Sequence, residues 1–181
     1  MILIGITGPA RAGKSTVAHY LVEHGFAEVS FAAPIKRAIA TAFGIDIRDL
    51  ELPDFKEANL PWLGRSPRYL LQTLGTEWGR KMVNSEVWMI LAARQIERAR
   101  ELGHVGVIVS DVRFDNEADF ILARGGLLWR IWRESAKAVR AHESERGIHD
   151  SYPVRGIMNN GTFAELYTRI DNLLAEHGAG Q

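Results

Sequence analysis

The chain has 181 residues, 46% of them hydrophobic, which suits one domain of ordinary size with a core of its own. It has no cysteine, which excludes disulfides and thiolate metal sites, and its formal net charge of zero argues against a long nucleic-acid or anionic-membrane surface. Arginines outnumber lysines 17 to 5; a planar guanidinium grips phosphate at two points, although a GC-rich codon bias gives the same excess.

Residues 2–7 form a continuous apolar run, the pattern of a strand buried on both faces. Only five apolar residues precede the first glycine-rich turn, and no later run approaches the ~18 needed to cross a bilayer, so a soluble, cytoplasmic protein without a membrane span is expected. The stretch GPARAGKS (8–15) follows, then a helix from Lys14 to about His24 with Val17, Ala18 and Leu21 inward. A second strand is predicted over 27–32 and a helix over 34–43, opened by Pro34 at its first position. Prolines at 53, 61 and 67 break any period, so 44–67 reads as an irregular connection. Helices are predicted over 66–83 and 85–103, with Ser85 as the cap of the second. A strand over 105–111, a helix over 116–125 and a strand over 127–134 come next. A polar stretch over 135–151 separates these from a last strand at 154–160. Thr162 and Glu165 then form a capping box for the final helix.

Strands alternating with helices imply right-handed crossovers and a parallel sheet covered on both sides. The predicted fold is α/β: a three-layer α/β/α core with a five-stranded parallel sheet. The core is expected over 1–43, 104–133 and 152–181, with an insert at 44–103 and a lid at 134–151.

Gly-x4-Gly-Lys-Ser between a strand and a helix is the pattern of a loop wrapped around phosphates. Its backbone amides form an anion-binding nest, and the following helix adds its positive end. The binding set is Gly8, Ala10, Arg11, Ala12, Gly13, Lys14, Ser15 and Thr16. Lys14 is expected at the terminal phosphates of a nucleoside triphosphate, the Ser15 hydroxyl on Mg²⁺, and Arg11 near the transferred group. The Asn-Lys-x-Asp pattern of guanine-binding switches is absent. A small-molecule phosphotransferase fits the length better than a motor or helicase.

In the helix 66–83, Leu70, Leu71, Leu74 and Trp78 share one face, expected to be buried. Arg68, Gln72, Thr76 and Arg80 form a polar stripe beside Gly75 and Gly79, able to seat a nucleobase and its phosphate or simply to face solvent. The strand 105–111 ends in Asp111, with Arg113 and Glu117 just beyond, where ligands sit in open parallel sheets. An acid there can hold Mg²⁺ or orient the attacking oxygen, and Arg113 can hold a phosphate.

GPARAGKS, PIK at 34–36, YLLQTLGT at 69–76, SDVRFDNE at 110–117, HESERGI at 142–148 and NNGTFAEL at 159–166 occur in an order that resembles phage deoxynucleoside monophosphate kinases. The resemblance covers nearly the whole chain. It implies the nucleoside-monophosphate-kinase version of the P-loop fold, with a helical monophosphate-binding insert and a closing lid, and ATP and Mg²⁺ as cofactors. Its partners are then small nucleotide substrates rather than nucleic acid, and a homodimer is left open. Residue by residue, Lys14 and Arg11 attend the transferred group. Lys36, Arg68, Gln72, Trp88, Asp111, Arg113 and Glu117 surround the monophosphate, and Asn159, Asn160 and Gly161 lie near the adenine of ATP. Trp88 has two readings, stacking on a base or anchoring its helix. Ranked behind this kinase are a dephospho-coenzyme A kinase and a regulatory module that binds ATP without transferring it.

Overall fold

The structure is a computed structural model that describes residues 1–136 and 147–178. Of the segment expected as a lid, Lys137, Arg140, His142, Glu143, Glu145 and Arg146 lie outside the described residues. Two compact units are present: residues 1–29 with 95–181, and residues 30–94.

The first unit holds five parallel strands, β1 (Ile2–Thr7), β2 (Phe26–Val29), β3 (Gly106–Val109), β4 (Leu127–Trp132) and β5 (Val154–Met158), in the order β2-β3-β1-β4-β5. β1 takes the centre because both its faces are apolar. Ile4 and Ile6 join Trp129, Ile131 and Ile157 under two helices, α1 (Lys14–Glu23) and α7 (Phe163–Gly178), which bring Val17, Leu21, Leu166 and Ile170. On the other face Gly5 lets Val112, Leu128 and Ile121 close in; a Cβ there would stand 3.0–3.1 Å from all three. Ile121 belongs to α6 (Asp115–Leu122), so the unit has the expected α/β/α layers.

β2 and β3 are shorter than predicted, since the chain turns early. Val29 O still accepts from Ser110 N at 3.1 Å, while Ser30 O already accepts from Ala33 N at 3.3 Å to lead into the next helix. The capping box predicted for α7 is present: Thr162 N donates to Glu165 Oε2 (2.8 Å) and Glu165 N to Thr162 Oγ1 (3.3 Å).

The second unit begins with α2 (Ala33–Phe43), which carries Pro34 in its first turn and ends at Gly44, φ 63°. The predicted irregular connection contains a 3₁₀ turn (Asp49–Glu51) and a short α3 (Pro53–Glu57). α4 (Pro67–Gln72) starts on Ser66, whose Oγ accepts from Tyr69 N, and winds on as a π-helix over Thr73–Val83. α5 (Val87–Glu101) starts two residues later than predicted. Asn84 takes part in the turn into it, its Oδ1 accepting from Glu86 N at 2.7 Å.

The π-helix overturns one expectation. The predicted face of Leu70, Leu71, Leu74 and Trp78 assumes 3.6 residues per turn, whereas i→i+5 bonding widens each turn and rotates later residues off that stripe. Trp78 is 46% exposed, while Thr76, expected on the open polar stripe, is 4% exposed. Gly75 and Gly79 are buried beside it.

Candidate active site

In the first unit the phosphate loop is shaped by positions where side chains do not fit. Gly8 has φ 135°, and a Cβ on it would lie 2.4 Å from Ile131 O; Gly13 has φ 103°, and its Cβ would lie 2.2 Å from Asn159 Nδ2. Arg11 (φ 66°) is the one non-glycine with positive φ among the described residues. That conformation is uncommon for a residue with a Cβ, and Arg11 stands exposed on the turn of the loop. The Lys14 ammonium bridges the loop, donating to Gly8 O and Pro9 O at 2.8 Å each.

α1 then begins on Gly13 with no side-chain cap and no acid in its first turn, so its positive end is not offset locally. A triphosphate fits this cradle: amides at the helix start, a lysine with movable donors, and glycines that leave room.

Two further segments meet the same end of the sheet. After β3, Val112 N donates to Ile6 O at 2.9 Å, which sets Asp111 beside the end of β1, next to the start of the loop. Glu117 is 2% exposed, and its Oε2 accepts from the backbone N of Arg113 (2.6 Å) and Phe114 (3.0 Å). Its carboxylate therefore ties down the loop that carries Arg113.

After β5, Asn159 N donates to Trp132 O (2.6 Å) and its Nδ2 to Ala12 O (2.9 Å), so the buried side chain braces the phosphate loop from beneath. Asn160 Oδ1 accepts from Glu134 N at 2.9 Å. A Cβ on Gly161 would meet the Glu165 carboxylate of the capping box, so a side chain there would displace that carboxylate.

Nothing in the sequence singled out the contacts at the far side of α6. Asp115 Oδ1 accepts from His149 N (2.8 Å), and the Tyr152 hydroxyl donates to Asp119 Oδ1 (2.9 Å). Partial burial and the Asp119 carboxylate push the Tyr152 hydroxyl up to about 12. Arg130 holds Asp150 at 2.7 Å.

In the second unit both predicted cations already hold carboxylates: Lys36 Nζ meets Glu51 Oε1 at 2.7 Å, and Arg68 Nε meets Glu57 Oε1 at 2.5 Å. The two cations are mostly covered, whereas the two acids are more than half exposed. Sequence reasoning missed Glu51 and Glu57, because their partners stand 15 and 11 residues away with no helical period between them. Gln72 is half-buried.

Trp88 is buried, donating Nε1–H to Gly75 O at 2.7 Å, and a Cβ on Gly79 would lie 2.4 Å from its ring. Of its two readings, this geometry supports the anchor: the two glycines let the indole settle against the π-helix. Gly75 also admits Ile35, whose Cδ1 would be 3.0 Å from a Cβ there.

Among the described residues no cluster of three or more His, Asp or Glu side chains gathers as a metal site, and no helix is long and apolar enough to cross a membrane. Ser15 and Asp111, the residues expected to hold Mg²⁺, carry oxygen atoms, the donor type that Mg²⁺ takes.

The family model described as deoxynucleotide monophosphate kinase matches residues 57–170. A protein of Acanthamoeba polyphaga mimivirus, provisionally named a deoxynucleotide monophosphate kinase, is 33% identical over 94% of each chain. The deoxynucleoside-5'-monophosphate kinase of Escherichia phage T5 is 35% identical over 64% of this chain and 50% of its own length. The deoxynucleotide monophosphate kinase of Enterobacteria phage T4 is 25% identical over 96% and 99%. Among solved structures, TT1252 from Thermus thermophilus (TM-score 0.52, 21% identical, 97% of each chain) and a dephospho-CoA kinase from Campylobacter jejuni (0.51, 13%, 98% of each) share the fold. The P-loop kinase fold and these matches lead to one conclusion: the chain belongs to the deoxynucleotide monophosphate kinase family.

Proposed function

We propose that the chain transfers the γ-phosphoryl group of ATP, with Mg²⁺, to the 5'-phosphate of a deoxynucleoside monophosphate. The observation that carries this reading is the glycine-built loop bridged by Lys14 in a chain of this family. Such chemistry needs positioning and charge neutralisation far more than covalent help.

The loop amides and the start of α1 hold the β- and γ-phosphates. Lys14 exchanges two neutral carbonyls for charged phosphate oxygens, which are stronger acceptors. Arg11 and Arg113 supply further positive charge, with Arg113 held in place by Glu117. Ser15 and Asp111 would hold Mg²⁺, which neutralises phosphate charge when bound.

In the second unit, the acceptor phosphate takes the places of Glu51 and Glu57 on Lys36 and Arg68. Both pairs have a well-hydrated partner, so they cost little to break. Gln72, with both a donor and an acceptor, reads a base edge. Thr76 and Trp88 keep the π-helix in place.

The testing experiment is a coupled ADP assay over the four common deoxynucleoside monophosphates and dephospho-coenzyme A. ADP release that depends on a deoxynucleoside monophosphate is expected. Release with dephospho-coenzyme A alone, or with no acceptor effect at all, would overturn the reading.

A further inference from the structure

Arg113 stands on the short connection between β3 and α6, and that connection is mounted at three places. On the sheet side Val112 N donates to Ile6 O at 2.9 Å, with the Val112 side chain buried against Gly5. From within, Glu117 Oε2 accepts from Arg113 N and Phe114 N. The third mount comes from elsewhere in the chain. The stretch 148–152, just before β5, lies against residue 115: His149 N donates to Asp115 Oδ1 at 2.8 Å, and the Tyr152 hydroxyl is 3.1 Å from Asp115 O.

That stretch is itself fastened, so it serves as a fixed point. Ile148 is buried and its carbonyl accepts from Arg130 Nη2 at 3.4 Å, while Arg130 Nη1 donates to Asp150 Oδ1 at 2.7 Å. Arg130 belongs to β4, in register with Thr7, the last residue of β1 before the phosphate loop. Tyr152 also reaches Asp119 Oδ1, one turn further along α6, at 2.9 Å. At Asp115, therefore, a segment 34 positions away that is anchored to the sheet meets the start of α6.

We infer that Asp115 is a positioning residue for phosphoryl transfer: by accepting from His149 N it fixes the outer end of the connection, and with it the reach of Arg113. This rests on the reading of Arg113 as a cation that holds a phosphate. Without Asp115 the outer end is released, and only Glu117 and the Val112 bond remain. An ångström of drift at a group that must meet a phosphate costs up to about 10²-fold in rate. The carboxylate also has a purely structural effect, since an acid in the first turn of α6 offsets the helix dipole. Asparagine separates the two effects, because it keeps an acceptor oxygen and drops the charge.

The test is steady-state kinetics of the full chain, well below each protein's Tm, for wild type, Asp115→Ala, Asp115→Asn, Arg113→Ala and the double variant Asp115→Ala/Arg113→Ala. Asp115→Ala is expected to lower kcat/KM for the monophosphate by roughly 10- to 10²-fold, with KM for ATP unchanged. Asp115→Asn should restore it. In the Arg113→Ala background the loss from Asp115→Ala should vanish, since the residue acts through the arginine. Tyr152→Phe loosens the same contact from the other side and should show the same dependence on Arg113; it serves where Asp115→Ala does not fold. Unchanged kinetics in Asp115→Ala, an equal loss in Asp115→Asn, or a full loss that persists beside Arg113→Ala would overturn the inference alone. An Arg113→Ala protein as active as wild type would remove the role given to Arg113, and a wild-type chain with no acceptor-dependent turnover would remove the functional reading; the inference falls with either.

Discussion

Asn159 is 147 residues from Ala12 in sequence, yet its amide donates to the Ala12 carbonyl beneath the phosphate loop. Asn159→Ala removes that donor and leaves the carbonyl of Ala12, a fully buried residue, without its partner. An unpaired buried carbonyl costs about 1–3 kcal/mol. For a chain of this size 1 kcal/mol moves Tm by roughly 2–4 °C, so a fall of about 2–12 °C is expected.

Asn159→Asp is the sharper variant. It keeps the shape but sets a carboxylate oxygen against the Ala12 carbonyl, and so should lose more stability than alanine. Because the brace lies under the loop, both variants should also raise KM for ATP more than KM for the monophosphate. Thermal unfolding by circular dichroism and steady-state kinetics read the two effects. An Asn159→Asp protein as stable as wild type, or KM values that rise together, would refute the argument.

Glu57→Gln should lower KM for the monophosphate without changing KM for ATP, since it removes the carboxylate that the acceptor phosphate must displace from Arg68; steady-state kinetics over the deoxynucleotide panel checks this. Trp88→Ala should destabilise by about 3–5 kcal/mol in denaturant unfolding, the usual cost of emptying a buried aromatic site, whereas Trp88→Phe should lose mainly the bond to Gly75 O. The hydrogen bonds that Arg48 gives Asp46 hold its carboxyl down at about 2. A lowered folded-state value means a contribution fully present above the usual 3.8 and lost as pH falls through about 2, so an NMR titration of the Asp46 carboxyl should show its midpoint near 2.

The parts of the molecule legible in sequence are those set by neighbouring residues. The apolar run of β1, the spacing from Gly8 to Ser15 and the Thr162–Glu165 box each specify local backbone, and each is present. The helix 66–83 was legible as a helix but not in its winding. The shift from 3.6 residues per turn, accumulating from Thr73 onward, accompanies an exposed Trp78 and a buried Thr76.

Chemistry at the strand end was legible as residue types and not as partners. A carboxylate such as Glu117 reads alike from sequence whether it meets a ligand or two backbone amides. The bonds of Asn159 to Ala12, Lys36 to Glu51 and Arg68 to Glu57 join residues on different elements, so no single helix or strand period relates them and only the folded chain reveals them.

The central claim is that this loop transfers a phosphoryl group to a deoxynucleoside monophosphate. Its most direct test follows the label from [γ-³²P]ATP in the wild-type chain and in Lys14→Ala, with each deoxynucleoside monophosphate supplied in turn. The account predicts label in the deoxynucleoside diphosphate for wild type, and transfer slowed roughly 10²-fold or more in the variant, as for loss of a preorganised charge at the reacting group. Label released only as inorganic phosphate, or near-normal transfer by Lys14→Ala, would contradict it.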